Sequence, residues 1–174
     1  MANLQYIIRI AQKNEFEEIG RLLVNVYSQL RGFPKPSEQP EYFQMLAGIG
    51  RLTENPGTSL LIAASPKGEI VGAVVYFNDM QYYGSGGSAT LEKHAAGFRL
   101  LAVNPATRGL GLGKLLTKEC IFKAREDKCQ QVIIHSTEYM KIAWKMYEDL
   151  GFIRSPDLDF SQNGLPVYGF RLKL

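Results

Sequence analysis

A mixed α/β sheet with helices on both faces is the fold class that the sequence predicts, and three observations carry it. Apolar periodicity switches between strand and helix spacing in the order βααβββαβαβ, with a further strand at the end. Glycine, proline and Asx residues sit where the periodicity changes. The chain has 174 residues, 45% apolar and 21% charged, so one domain spanning 1–174 can bury a core without disulfides or a metal.

The elements follow in order. Tyr6 to Ile10 reads as a strand. Asn14 with Glu17 three residues later predicts a capping-box start, and Phe16, Ile19, Leu23, Val26 and Leu30 repeat at helical spacing behind it. Pro34, Pro36 and Pro40 break the chain. A second helix then places Tyr42, Met45, Leu46 and Ile49 on one face. Thr58 to Ala64 and Glu69 to Phe77 read as strands joined by Ser65-Pro66-Lys67-Gly68.

Residues 78–94 are too rich in glycine and serine for a core strand and read as a long loop, with Tyr82 and Tyr83 as candidate walls of a substrate pocket. Phe98 to Val103 is apolar and ends at Asn104-Pro105. Beyond it Leu112, Leu116 and Cys120 have helical spacing, with Leu115 and Phe122 alongside. Gln131 to Thr137 reads as a strand, Ala143 to Tyr147 as part of a helix, and Asp157 to Asn163 with Val167 to Leu174 as a closing hairpin. Alternation in the last strand predicts one buried face, that of Tyr168, Phe170, Leu172 and Leu174.

Between the 98–103 strand and the 112–120 helix lies Arg108-Gly109-Leu110-Gly111-Leu112-Gly113-Lys114. Strand, glycine turn and helix start make an anion cradle, because glycines let amides turn toward a ligand and the helix N-terminus adds positive potential. The run is no Walker loop, since position 108 is Arg and position 115 is Leu where the Mg²⁺-binding hydroxyl would stand. It is no dinucleotide fingerprint either, because the glycines run G-x-G-x-G.

Arg108, Gly111 and Gly113 fit R/Q-x-x-G-x-G/A, and here the chain resembles the GCN5-related N-acetyltransferases, the acyl-CoA-dependent GNAT family. Leu101 to Pro105 resembles the family's fourth strand and its exit, Gln131 to Thr137 its fifth strand, and Ala143…Tyr147…Gly151-Phe152 its "A…Y…GF" segment. The resemblance covers about residues 96–153. It implies a single-domain GNAT-like fold whose central sheet is mostly antiparallel and whose strands 4 and 5 splay apart. It implies acetyl-CoA as co-substrate and no metal.

It also implies residue roles. Leu101, Ala102 and Val103 line the cofactor with their backbone, the Val103 N–H aimed at the thioester oxygen. Arg108, Gly109, Leu110, Gly111, Leu112, Gly113 and Lys114 hold the pyrophosphate, with Lys118 one turn beyond Lys114. Tyr147 is the general acid. The base is not fixed: relatives carry a strand-four glutamate where this chain has Gly97, and Met140 stands where an asparagine is usual. Glu92, His94, His135 and Glu138 are the ionisable candidates, and His135 has the most suitable ordinary pKa, near 6.5. A water relay is the other route.

The expected function is transfer of an acetyl group to a primary amine by direct transfer in a ternary complex, since neither Cys120 nor Cys129 holds a family active-site position. The alternative is a non-catalytic acyl-CoA-binding sensor or partner-binding module. The acceptor is a small-molecule or peptide amine. The aromatic set Tyr27, Phe33, Tyr42, Phe43, Tyr82 and Tyr83, with few acids, leans away from polycations. A net charge of +3 gives no argument for nucleic acid. No run approaches the ~20 apolar residues of a membrane span. Arg9 interrupts the N-terminal apolar run, and no small-residue cleavage site follows, against a signal peptide. Two cysteines suit a reducing, cytoplasmic setting, and a homodimer stays open.

Overall fold

The computed structural model describes residues 5–174; Met1 to Leu4, which open the stretch weighed above as a signal peptide, lie outside the described residues. The strands are β1 (Ile7–Ile10), β2 (Thr58–Ala64), β3 (Ile70–Phe77), β4 (Ala95–Val103), β5 (Gln131–Ser136), β6 (Ile153–Arg154), β7 (Phe160–Gln162) and β8 (Leu165–Lys173). The helices are α1 (Phe16–Ser28), α2 (Pro40–Ala47), α3 (Leu112–Glu126) and α4 (Lys141–Asp149). The strand order is β1-β2-β3-β4-β5-β8-β6, with β7 on β8. The β4–β5 pair is parallel and its register covers Ala95–Gly97 against Gln131–Ile133, while β4 itself continues to Val103. The chain packs as two compact units, Met1–Val75 with Leu100–Thr117, and Tyr76–Arg99 with Lys118–Leu174.

In the first unit the start of α1 differs from the expected Asn14–Glu17 cap. Glu15 takes that role: its carboxylate accepts the Gln12 N–H at 2.7 Å and both terminal nitrogens of Arg9 at 2.9 and 2.6 Å. The Arg9 guanidinium is the main reason the Glu15 carboxyl is held below its ordinary pKa. A one-turn 3-10 segment, Lys13–Glu15, therefore precedes the helix. α1 then buries Ile19, Leu22, Leu23 and Val26. It meets α2 at Gly20, where a Cβ would lie 2.2 Å from the Ala47 carbonyl oxygen. α2 begins on Pro40, whose fixed φ suits a first helical turn, and it buries Phe43 and Leu46. Ile49 is buried from the 3-10 turn that follows. Edge-on and tilted ring contacts link Tyr27, Phe33, Tyr42 and Phe43 at centroid distances of 5.6–6.4 Å.

In the second unit β5 and β8 form a six-residue antiparallel ladder, Gln131↔Lys173 to Ser136↔Tyr168. The expected buried face of β8 holds fully only at Phe170, since Tyr168 and Leu172 are half-buried and Leu174 is exposed, while Val167 and Gly169 of the other face are buried. Leu158 covers that second face, so closely that a Cβ on Gly169 would meet it at 2.3 Å. Arg154 fastens the same segment, forking onto both Asp159 oxygens at 2.9 and 2.8 Å and donating to the Gly169 carbonyl at 2.7 Å. Residues 78–94 form no strand; two 3-10 turns, Met80–Tyr82 and Ala89–Leu91, carry the buried Met80 and Ala89. Leu112, Leu116 and Cys120 of α3 are buried, whereas Leu115 and Phe122 face outward at 43% and 53% exposure.

Candidate active site

The first unit carries the glycine turn. Gly109 and Gly111 have φ of +82° and +77°, a region costly for any residue with a Cβ. No heavy atom lies within 4 Å of where their Cβ atoms would be. Backbone conformation, not crowding, therefore requires these glycines, and the space beside them is open. The Leu115 N–H closes the first turn of α3 on the Gly111 carbonyl at 3.0 Å. The amides of Leu112, Gly113 and Lys114 lie ahead of that bond, where a helix has no carbonyl of its own to offer. Arg108, Leu110 and Lys114 are exposed around them. Such a cradle of amides, helix dipole and cations fits a pyrophosphate.

The strand leading there is shaped at Leu100, a buried non-glycine residue with φ of +62°. Such a residue inside a strand marks a bulge, which re-aims the residues after it. The Asn104 N–H bonds the Val71 carbonyl at 2.8 Å. Because amides alternate sides along a strand, those of Leu101 and Val103 point away from β3. The Leu101 carbonyl, on that side, accepts the Tyr27 hydroxyl at 3.1 Å. Leu101 and Val103 are half-buried and Ala102 is buried. The Val103 N–H thus has the direction required of a carbonyl-polarising donor.

The second unit carries the ionisable side chains. Tyr147 of α4 is 5% exposed and packs edge-on against Phe98 and Phe152 at 5.9 and 5.8 Å. Its hydroxyl has no hydrogen-bond partner among the described residues, so no structural bond explains it. Burial pushes its pKa up, so the phenol stays protonated. The buried Cys120 thiol is pushed up for the same reason. A thiolate formed in such surroundings would likewise be more basic and readier to take a proton.

His135 is saturated. Its Nε2 lies 2.9 Å from the Leu158 carbonyl, which only accepts, so Nε2 carries the proton. Nδ1 then offers its lone pair to the Tyr83 hydroxyl at 3.0 Å. Burial lowers the His135 pKa and favours this neutral tautomer. Tyr83 is 1% exposed and faces inward, while Tyr82 remains half-exposed. The Tyr83 ring also explains Gly97: a Cβ there would lie 2.9 Å from it and 2.8 Å from the Met80 sulfur. The site of the missing glutamate is thus filled by an aromatic ring. Glu92, another candidate base, is engaged by Arg171 at 2.5 Å, and His94 and Glu138 are exposed. At the end of β5 the buried Ser136 and Thr137 hydroxyls have no partner among the described residues. The Tyr83–His135 pairing joins positions 52 apart in sequence, and no local pattern announces it.

Comparison with known proteins agrees with this architecture. A putative acetyltransferase from Acinetobacter baylyi ADP1 superposes with a TM-score of 0.76 at 16% identity, over 100% of this chain and 94% of that one. A putative acetyltransferase from Salmonella typhimurium, solved with its cofactor acetyl-CoA, superposes with a TM-score of 0.68 at 16% identity, covering 97% and 94%. These likenesses show the fold, and it is the mixed, mostly antiparallel α/β fold expected from the sequence. N-alpha-acetyltransferase 30 of Xenopus laevis is 37% identical over 90 residues, which are 48% of this chain and 32% of that protein. The matched region thus spans about a third of that relative's length. Among the described residues no helix is long and apolar enough to cross a membrane. Residues 17–152 match the model of the Acetyltransferase (GNAT) family, and the chain belongs to that family.

Proposed function

We propose that this protein is an acetyl-CoA-dependent N-acetyltransferase that acts in the cytoplasm on a primary amine, by direct transfer in a ternary complex. The observation that carries the reading is the open turn at the start of α3, where Gly109 and Gly111 keep left-handed backbone and clear space for a ligand. Acetyl-CoA would supply the activated acetyl thioester. The amides and cations of Arg108 to Lys114 bind its pyrophosphate. The backbone of Leu101 to Val103 orients the pantetheine arm, and the Val103 N–H stabilises charge on the carbonyl oxygen, a contribution of a few kcal/mol in comparable sites.

Tyr147 Oη holds the proton that the departing sulfur takes. His135 is the candidate base, reached from the amine by a water relay, with the Tyr83 hydroxyl bonded to its Nδ1. Titration calorimetry with acetyl-CoA, followed by a thiol-release assay over a broad amine panel, tests the whole reading. Binding and amine-dependent release support it. Binding without release on any amine favours a non-catalytic acyl-CoA sensor, and no binding removes both.

A further inference from the structure

Four arginines of the described chain are half-buried: Arg9, Arg99, Arg154 and Arg171. Three of them hold carboxylates: Arg9 pairs with Glu15, Arg154 with Asp159, and Arg171 with Asp157 and Glu92. Arg99 has no carboxylate partner among the described residues. Its Nη1 donates to the carbonyls of Tyr83 at 2.9 Å and Gly84 at 3.1 Å, and its guanidinium lies 5.9 Å from the Tyr83 ring centroid. Nε and Nη2 bond nothing among the described residues. Gly84 makes the approach feasible, since a Cβ there would lie 2.9 Å from Nη1 and its φ is +74°. One edge of the guanidinium is therefore fixed to the 78–94 loop, and the rest of the fork is unspent. The charge is felt locally: it favours ionisation of Tyr83 and disfavours protonation of His135.

The surroundings add a second unsatisfied group. Gly97 pairs with Ile133, and paired residues share a sheet face, so Arg99 belongs to the face of Ile133 and His135. Thr137, extended at φ −118° and ψ 164°, continues that face. Thr137 is 4% exposed, and its hydroxyl has no partner among the described residues. A buried hydroxyl without a partner is costly unless a ligand completes it, and the half-buried guanidinium on the same face has donors to spare. A planar fork with two free donors matches a carboxylate.

We propose that Arg99 is a specificity-determining residue that binds a carboxylate carried by the acceptor amine. This rests on the N-acetyltransferase reading for its role, although carboxylate binding itself does not. The carboxylate has two sources: the α-carboxylate of a free amino acid, or an acidic side chain next to a peptide N-terminus.

Thiol release from acetyl-CoA is to be measured with free amino acids against their amides, and with the dipeptide amide Ala-Glu against Ala-Gln. The expected result is a kcat/KM at least tenfold higher for the carboxylate member of one series, carried by KM, with the winning series naming the source. Arg99→Gln should abolish that preference. Arg99→Lys, which keeps the charge and one donor but not the fork, should retain a reduced preference and covers the case in which Arg99→Gln fails to fold. Calorimetry with N-acetyl amino acids and N-acetyl-Ala-Glu-amide against their neutral amides provides a readout free of chemistry. Preferential binding lost in Arg99→Gln and weakened in Arg99→Lys supports the carboxylate site even if no amine is acetylated. Equal binding of acid and amide by the unaltered protein, a preference that survives in Arg99→Gln, or one undiminished in Arg99→Lys overturns it.

Discussion

The turn of residues 109–114 and the loop of residues 78–94 with its sheet partners use glycine for opposite ends. At Gly109 and Gly111 a side chain would meet nothing within 4 Å, and the residue is needed for its positive φ. At Gly97 a side chain would strike Tyr83 and Met80, and the residue is needed for its missing volume. The turn leaves its amides unspent, while the loop ties its Tyr83 hydroxyl and one edge of Arg99 into bonds between itself and its sheet partners. Both nitrogens of His135 are bonded, the Tyr83 hydroxyl is bonded, and one edge of Arg99 is bonded. A glycine motif by itself does not mark a ligand site; the space around it does.

The largest expected effect comes from Tyr147. If its hydroxyl exists for chemistry, Tyr147→Phe should lower kcat by about 100-fold or more and leave acetyl-CoA affinity unchanged. Stability should move by less than about 0.5 kcal/mol, since removing an unpartnered hydroxyl breaks no hydrogen bond. Stopped turnover with an unshifted thermal midpoint is the signature. Lost stability with normal turnover would make Tyr147 a structural residue.

The two glycine roles should separate next. Gly111→Val forces a branched side chain into left-handed backbone, at a cost of about 1–2 kcal/mol, so acetyl-CoA should bind roughly tenfold more weakly in calorimetry. Its thermal midpoint should fall only slightly, because the turn is exposed. Gly97→Ala should do the reverse. Overpacking against Tyr83 and Met80 costs about 1–3 kcal/mol, a midpoint lower by roughly 2–10 °C, with acetyl-CoA affinity kept. Gly97→Glu, which restores the residue usual in relatives, should destabilise more and rescue nothing. If both variants failed in the same assay, the distinction between open and filled glycines would collapse.

The same distinction explains what the sequence disclosed. The glycine turn proposed to hold the cofactor is backbone over seven consecutive residues, 108–114, so its shape as an anion cradle is legible from spacing alone. The order of strands and helices is legible for the same reason, each being a local periodicity. The cluster of Tyr83, Gly97, Arg99, His135 and Leu158, proposed as the acceptor side, joins residues distant in sequence that meet only in the folded chain. Asn14 misled because a carboxylate one residue later had Arg9 as a partner, and that contact needs β1 in place. The second buried face of β8 was hidden likewise, since only the packed position of Leu158 creates it.

The smallest effect is a pH dependence that isolates the His135 cluster. His135 touches Tyr83, Leu158 and Phe160, and the charges of Arg99 and Asp159 act on it in opposite directions. Burial outweighs the rest and holds its folded pKa below the ordinary value near 6.5. Between those two values the unfolded chain binds more protons than the folded one, so stability rises with pH there. The contribution is complete above about pH 6.5 and is lost as pH falls toward the lowered value. Glu15, Asp79, Asp157 and Asp159 are all shifted down, so their losses begin at lower pH, below about 4. Thermal midpoints between pH 7.5 and about 5 should therefore slope downward in the unaltered protein and flatten in His135→Gln. Tyr83→Phe, which leaves Nδ1 as an unpaired buried acceptor, should cost about 1–3 kcal/mol at neutral pH. It should also shrink the slope, because an Nδ1 without its hydroxyl donor is easier to protonate. A slope unchanged in both variants would place the acid sensitivity outside the Tyr83–His135 pair.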